Sequence, residues 1–118
     1  ISNRTRQKAD NLKNQFKTLK VINWGNVPNF DVVINATSLG LNNEVINLDF
    51  SSIGENKLFY DVIYNPSCTN FLKIGKKLGN KSENGKLMFF YQASEAFKLW
   101  HGIEPRINNE TLKLLEND

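Results

Sequence analysis

Between Lys8 and Lys20 the apolar residues Ala9, Leu12, Phe16 and Leu19 are spaced three, four and three apart. That spacing predicts an amphipathic helix with Thr5 as its N-cap. Lys20 to Trp24 is a short β-like run, and Gly25 to Asn29 has turn composition. Phe30 to Ala36 (FDVVINA) places Val32, Val33 and Ile34 in succession, as expected of a strand buried on both faces. A polar, irregular stretch from Leu41 to Asn56 separates it from a second buried strand, Leu58 to Tyr64 (LFYDVIY), which Asn65 and Pro66 stop. Thr69 opens a second helix carrying Phe71, Leu72, Ile74 and Leu78, with Gly79 as its C-cap. After a polar loop at 80–84, the longest helix runs from Gly85 or Lys86 to Trp100. Met88, Gln92, Ala96 and Leu99 form one stripe, and Phe89, Ala93, Phe97 and Trp100 the next. So wide an apolar arc predicts a largely buried helix. Gln92 interrupts that arc, and a buried amide needs a partner, either a loop or a polar ligand. Gly102 and Pro105 end this helix, and Asn109 is expected to cap a short final one through Leu112 and Leu115.

Strands alternating with helices predict an α/β layer with a parallel sheet and right-handed crossovers. Ligands of such sheets gather beyond the carboxyl ends of the strands. Three polar segments fall there: Asn3 to Lys8 after an apparent strand tail at Ile1, Asn35 to Gly40 after VVI, and Tyr64 to Pro66 after YDVI. The topology places all three on one rim.

Composition narrows the function classes. With 118 residues the chain suits one domain, and its apolar share excludes wholesale disorder. The longest apolar run, Leu87 to Tyr91, is far too short to cross a membrane, and a soluble cytoplasmic protein is expected. Ile1 leading directly into a basic stretch points to an internal start. One cysteine, Cys68, and one histidine, His101, leave no cluster for a metal and no internal disulfide. Of the net charge, residues 1–20 carry +5 and the remainder −2. A nucleic-acid binder would interleave its basic residues with aromatics, and this segment has only Phe16. The 18 asparagines, and 12 lysines against 3 arginines, match the coding bias of an AT-rich genome.

Asn3-Arg4-Thr5-Arg6-Gln7-Lys8 lies between a strand tail and a helix. A dinucleotide fold that accepts a 2′-phosphorylated adenosine replaces the ribose-binding carboxylate at this point with arginine. The guanidinium of Arg4 can pair bidentately with phosphate, and Lys8 adds charge near a helix N-terminus. The competing reading is a solvated basic helix start. Asn35 to Gly40 offers small residues and hydroxyls where backbone can approach a ligand, or it is an ordinary turn. Tyr64 either packs in the core or donates toward a cleft.

The succession NRTxxK, DVVINATSLG, FYDVIYNPxxTxFL and GxxMxxxQAxxAFxLWxGxxP resembles the carboxyl-terminal, NADP-binding portion of the shikimate dehydrogenase family, quinate/shikimate dehydrogenases included. It covers Asn3 to Pro105 in order. The resemblance implies a partial Rossmann-like, doubly wound parallel sheet and an NADP-dependent oxidoreductase that interconverts 3-dehydroshikimate and shikimate. It implies that Asn3, Arg4, Thr5 and Lys8 hold the adenosine 2′-phosphate and that Ala36, Thr37 and Ser38 contact the cofactor. It further implies that Val62 and Gly85 reach the nicotinamide through backbone, and that Tyr64 and Gln92 reach shikimate.

Leu87 departs from the pattern, where relatives often carry glycine, and implies a tighter nicotinamide end. The family's glycine-rich phosphate loop and its catalytic lysine and aspartate have no counterpart in these 118 residues. No catalytic residue is therefore assigned, Asp61, Lys57 and His101 read as structural or surface groups, and the chain alone is expected to be inactive. The expected partner is an amino-terminal substrate domain of the same protein. In the strand order 3-2-1-4-5-6 this chain would lack the central strand, leaving strands 2 and 4 about 10 Å apart with edges open to self-association. The alternative is a non-catalytic nucleotide- or phosphate-binding module, for which Tyr64 and Gln92 have no evident use.

Overall fold

The computed structural model describes residues 1–106 and 108–113. Their elements, in chain order, are α1 (Arg6–Gln15), β1 (Val32–Asn35), β2 (Leu58–Asp61), α2 (Asn70–Lys77), β3 (Lys81–Glu83), α3 (Lys86–His101) and α4 (Asn109–Lys113). They divide into two compact units, residues 1–29 with 47–53, and residues 30–46 with the chain from Gly54 onward.

In the first unit, α1 is shorter than its apolar stripe predicts. It stops at Gln15, and Phe16 closes it in extended conformation with its N–H on the Leu12 carbonyl. Asparagines at positions 11 and 14 weaken the last turn, because their side chains compete for backbone hydrogen bonds. Lys20 to Trp24 forms no strand. The Ile1 ammonium nevertheless donates to the Lys20 carbonyl at 2.7 Å, and Ile22 N–H to the Ile1 carbonyl at 2.9 Å. Together they make one rung of parallel pairing about Val21.

The second unit is a parallel sheet in the order β1-β2-β3. Val32 to Asn35 pair with Leu58 to Asp61, and Leu58 to Tyr60 with Lys81 to Glu83. The central strand carries the core: Phe59 is wholly buried, with its ring 6.0 Å from Phe30 and 5.2 Å from Phe71. Helix α2 packs on β2 and β3, so closely at Gly75 that a β-carbon would lie 2.6 Å from the Phe59 ring and 2.7 Å from Ser82 Oγ. Thr69 caps α2 by accepting from Leu72 N–H, and Leu78 is the C-cap, with left-handed Gly79 following it.

Several sequence expectations are corrected here. The first buried strand is instead an edge strand, with Val32 and Ile34 at 50% and 59% exposure, because the face they share is uncovered. The polar loop at 80–84 contains β3, whose Lys-Ser-Glu sequence carries no hydrophobic signal for a strand. Helix α3 is largely exposed: Phe90 is its buried residue, while Leu87, Tyr91, Leu99 and Trp100 face solvent. The final helix is capped by Asn108, whose side-chain oxygen accepts from Thr111 N–H at 2.9 Å, not by Asn109. Leu115 and the Leu112 side chain lie outside the described residues. No helix among them is long and apolar enough to cross a membrane.

Candidate functional site

Because β1, β2 and β3 are parallel, their carboxyl ends share one rim of the second unit, and the pairing of Asn35 with Asp61 brings the two following turns together. The first turn is locally wound. Asn35 Oδ1 accepts from Thr37 N–H at 3.1 Å and from the Thr37 hydroxyl at 2.8 Å, and Thr37 Oγ1 accepts from Leu39 N–H at 3.1 Å. These bonds half-bury Thr37 and leave Ala36 and Ser38 exposed at the tip. Gly40 ends the turn at φ +119°, where a side chain would be strained and would press on Thr69.

The second turn meets the start of α3. Val62 N–H donates to the Asn35 carbonyl at 3.0 Å, and Gly85 N–H to the Ile63 carbonyl at 3.1 Å. A β-carbon at Gly85 would overlap the Val62 carbonyl, so only glycine lets the two backbones touch. Asn84 holds the same corner, its side-chain oxygen accepting from Lys86 N–H at 3.1 Å and its amide donating to the Ser67 carbonyl at 2.9 Å.

Tyr64 is half-buried against Phe89 of α3, with ring centroids 4.7 Å apart. Gln92 lies three residues beyond Phe89, on the adjoining helical surface. It is exposed, so the expectation of a buried amide is wrong. Periodicity marks which residues share a stripe but not what lies opposite it. Val62, Tyr64 and Gly85 are thus brought onto one rim with Ala36 to Ser38, and α3 carries Gln92 away from it by two turns of helix.

A carboxylate fixes the loop beyond the first turn. Glu44 accepts from Asn42 N–H at 2.9 Å, Gly40 N–H at 3.1 Å and the Asn42 side chain at 3.2 Å. These donors, the Asn42 N–H foremost, lower its pKa from 4.5 to about 2. A lowered folded-state value means that the clasp is complete above 4.5 and lost as pH falls through about 2. An NMR titration of the Glu44 carboxyl is expected to give a midpoint near 2. A midpoint at its ordinary value would show the clasp to be absent.

The segment Asn3 to Lys8 belongs to the first unit. Asn3 Oδ1 accepts from Thr5 N–H at 2.8 Å, which rounds the corner into α1. Thr5 holds the N-cap position, but its side chain caps no helical N–H. Arg6 is committed to the Asp10 carboxylate at 3.0 Å and to the Asn23 side chain. Arg4 and Lys8 are exposed and make no ion pair among the described residues, so their charges are available to an anion. Lys57 pairs with Asp31 at 3.3 Å and His101 stacks on Phe97 at 4.4 Å, both away from the rim.

No protein-family model matches the chain. The shikimate dehydrogenase (NADP(+)) of Pelagibacter ubique strain HTCC1062 is 51% identical over 117 residues, which are 98% of this chain and 44% of that protein. The chain is similar to the shikimate dehydrogenases. The crystal structure of shikimate 5-dehydrogenase from Thermus thermophilus, in complex with NADP(H) and shikimate, matches with a TM-score of 0.81 at 28% identity, over 98% of this chain and 43% of that one. The 5-ketofructose reductase of Gluconobacter sp. strain CHM43 matches with a TM-score of 0.78 at 28% identity, over 99% and 46%. The chain therefore spans less than half the length of these relatives, and its parallel sheet with flanking helices is the partial Rossmann-like fold that its motifs imply.

Proposed function

We propose that residues 1–118 are the carboxyl-terminal, incomplete NADP-binding domain of a cytoplasmic dehydrogenase that interconverts 3-dehydroshikimate and shikimate. The substrate domain, with the proton-transferring lysine and aspartate that the resemblance implies, lies elsewhere in the same protein. The observation that carries this reading is the shared rim, where the turn at Ala36 to Ser38, the Val62 backbone packed on Gly85 and the Tyr64 ring adjoin. A flat nicotinamide needs such a backbone-lined approach, and the unpaired Arg4 and Lys8 suit a 2′-phosphate.

When bound, NADP supplies or accepts the hydride. The chain's own residues orient it. Asn3, Arg4, Thr5 and Lys8 hold the phosphate, Ala36, Thr37 and Ser38 approach the dinucleotide, and Val62 and Gly85 set the position of the nicotinamide. Tyr64 and Gln92 offer a hydroxyl and an amide to shikimate hydroxyls. None of these groups transfers the proton, so the chain by itself is inactive, and its open β1 edge favours self-association.

Titration of the intact enzyme tests the substrate assignment. Gln92→Ala is expected to weaken shikimate binding about tenfold, the worth of one hydrogen bond, and NADPH binding less than about twofold. The reverse order would remove Gln92 from the substrate site.

A further inference from the structure

The rim is built over a carboxylate that the proposed chemistry does not use. Asp61, the last residue of β2, is wholly buried and makes no ion pair among the described residues. Three donors from three segments satisfy it instead. Its Oδ1 accepts from Asn35 Nδ2 and Ile63 N–H, both at 3.1 Å, and its Oδ2 from the Thr69 hydroxyl at 2.6 Å. Asn35 is itself buried, and its amide also donates to the Leu39 carbonyl at 3.0 Å while its oxygen holds Thr37.

We infer that Asp61 is the positioning residue of the rim: its carboxylate, acting through Asn35 on one side and Ile63 on the other, fixes the Ala36 to Ser38 turn relative to the Val62 to Tyr64 turn. A charge placed here for stability alone would be a poor choice, since apolar residues of similar volume often serve a buried site as well or better. An acceptor-only group with two oxygens, however, can gather three donors that would otherwise be free to separate. The fixed quantity is the offset between the backbone that takes the dinucleotide and the carbonyl against Gly85. This inference rests on the rim being the cofactor and substrate site.

The test compares Asp61→Ala and Asp61→Asn in the intact enzyme, with NADP, shikimate and the probe 2′,5′-ADP, at a temperature where circular dichroism shows each variant folded. Misplacing reacting groups by about 1 Å costs on the order of 10²-fold. Asp61→Ala is therefore expected to lower kcat per folded site by about that factor while leaving 2′,5′-ADP affinity unchanged. Asp61→Asn, which keeps an oxygen for Asn35 and Ile63 and can donate to Thr69, should restore kcat to within about tenfold. Where Asp61→Ala does not fold, Asn35→Asp carries the same test, because it keeps the shape but sets two acceptors face to face. A kcat per folded site equal to wild type in the disrupting variant overturns the inference and leaves Asp61 structural. Failure of the wild type to bind 2′,5′-ADP would instead remove the cofactor reading on which it rests.

Discussion

Gly85→Ala is expected to destabilise the protein by about 3 kcal/mol, an overpacking cost at the upper end of the usual range. The added β-carbon meets the Val62 carbonyl, which is backbone and cannot rotate aside as a side chain would. Relief requires the start of α3 to back away, stretching the 3.1 Å bond from Gly85 N–H to the Ile63 carbonyl and disturbing the Phe89 ring beneath Tyr64. At about 2–4 °C per kcal/mol for a chain of 150–250 residues, the melting temperature of the intact protein should fall by roughly 10 °C. If Val62 and Gly85 set the nicotinamide's position as proposed, the folded fraction should also lose NADPH affinity. A melting temperature unchanged from wild type would mean that the two backbones do not touch.

Arg4→Ala should have a large kinetic effect that discriminates between cofactors. A bidentate guanidinium–phosphate pair contributes about 1.5–3 kcal/mol, so kcat/KM with NADPH is expected to fall roughly 10- to 10²-fold. With NADH, which has no 2′-phosphate, the change should stay below about twofold, since an exposed side chain without an ion pair contributes little to stability. Arg6→Ala is the internal control. Its guanidinium is already engaged by Asp10 and Asn23, so its loss should cost only about 0.5 kcal/mol of helix stability and affect both cofactors alike. Equal losses with NADPH and NADH for Arg4→Ala would argue against the phosphate role.

Much of the architecture was legible because its signals are local. The consecutive β-branched residues of β1, the Thr69 cap and the glycine after α2 each specify an element through short-range chemistry. What was not legible depends on neighbours. Lys81 to Glu83 forms a strand only because β2 presents an edge to it, and nothing in Lys-Ser-Glu announces that. The apolar arc of α3 and the Val32–Ile34 face predict burial, but hydrophobicity states a preference for cover and not its presence. The candidate site divides in the same way. Arg4, Tyr64 and Gly85 were visible through motif and position, whereas the commitment of Arg6 to Asp10, which singles out Arg4, appears only in three dimensions. Asp61 reads as structural from its sequence setting, and its three donors come from residues 35, 63 and 69, a grouping that no spacing reveals.

Hydride transfer by the intact protein shows whether this rim takes NADP beside shikimate. With the intact protein, nicotinamide reduction should depend on shikimate and run at least about tenfold faster, as kcat/KM, with NADP than with NAD, the 2′-phosphate pairing being worth that much. Absence of shikimate-dependent reduction with either cofactor, or equal use of both, would contradict it.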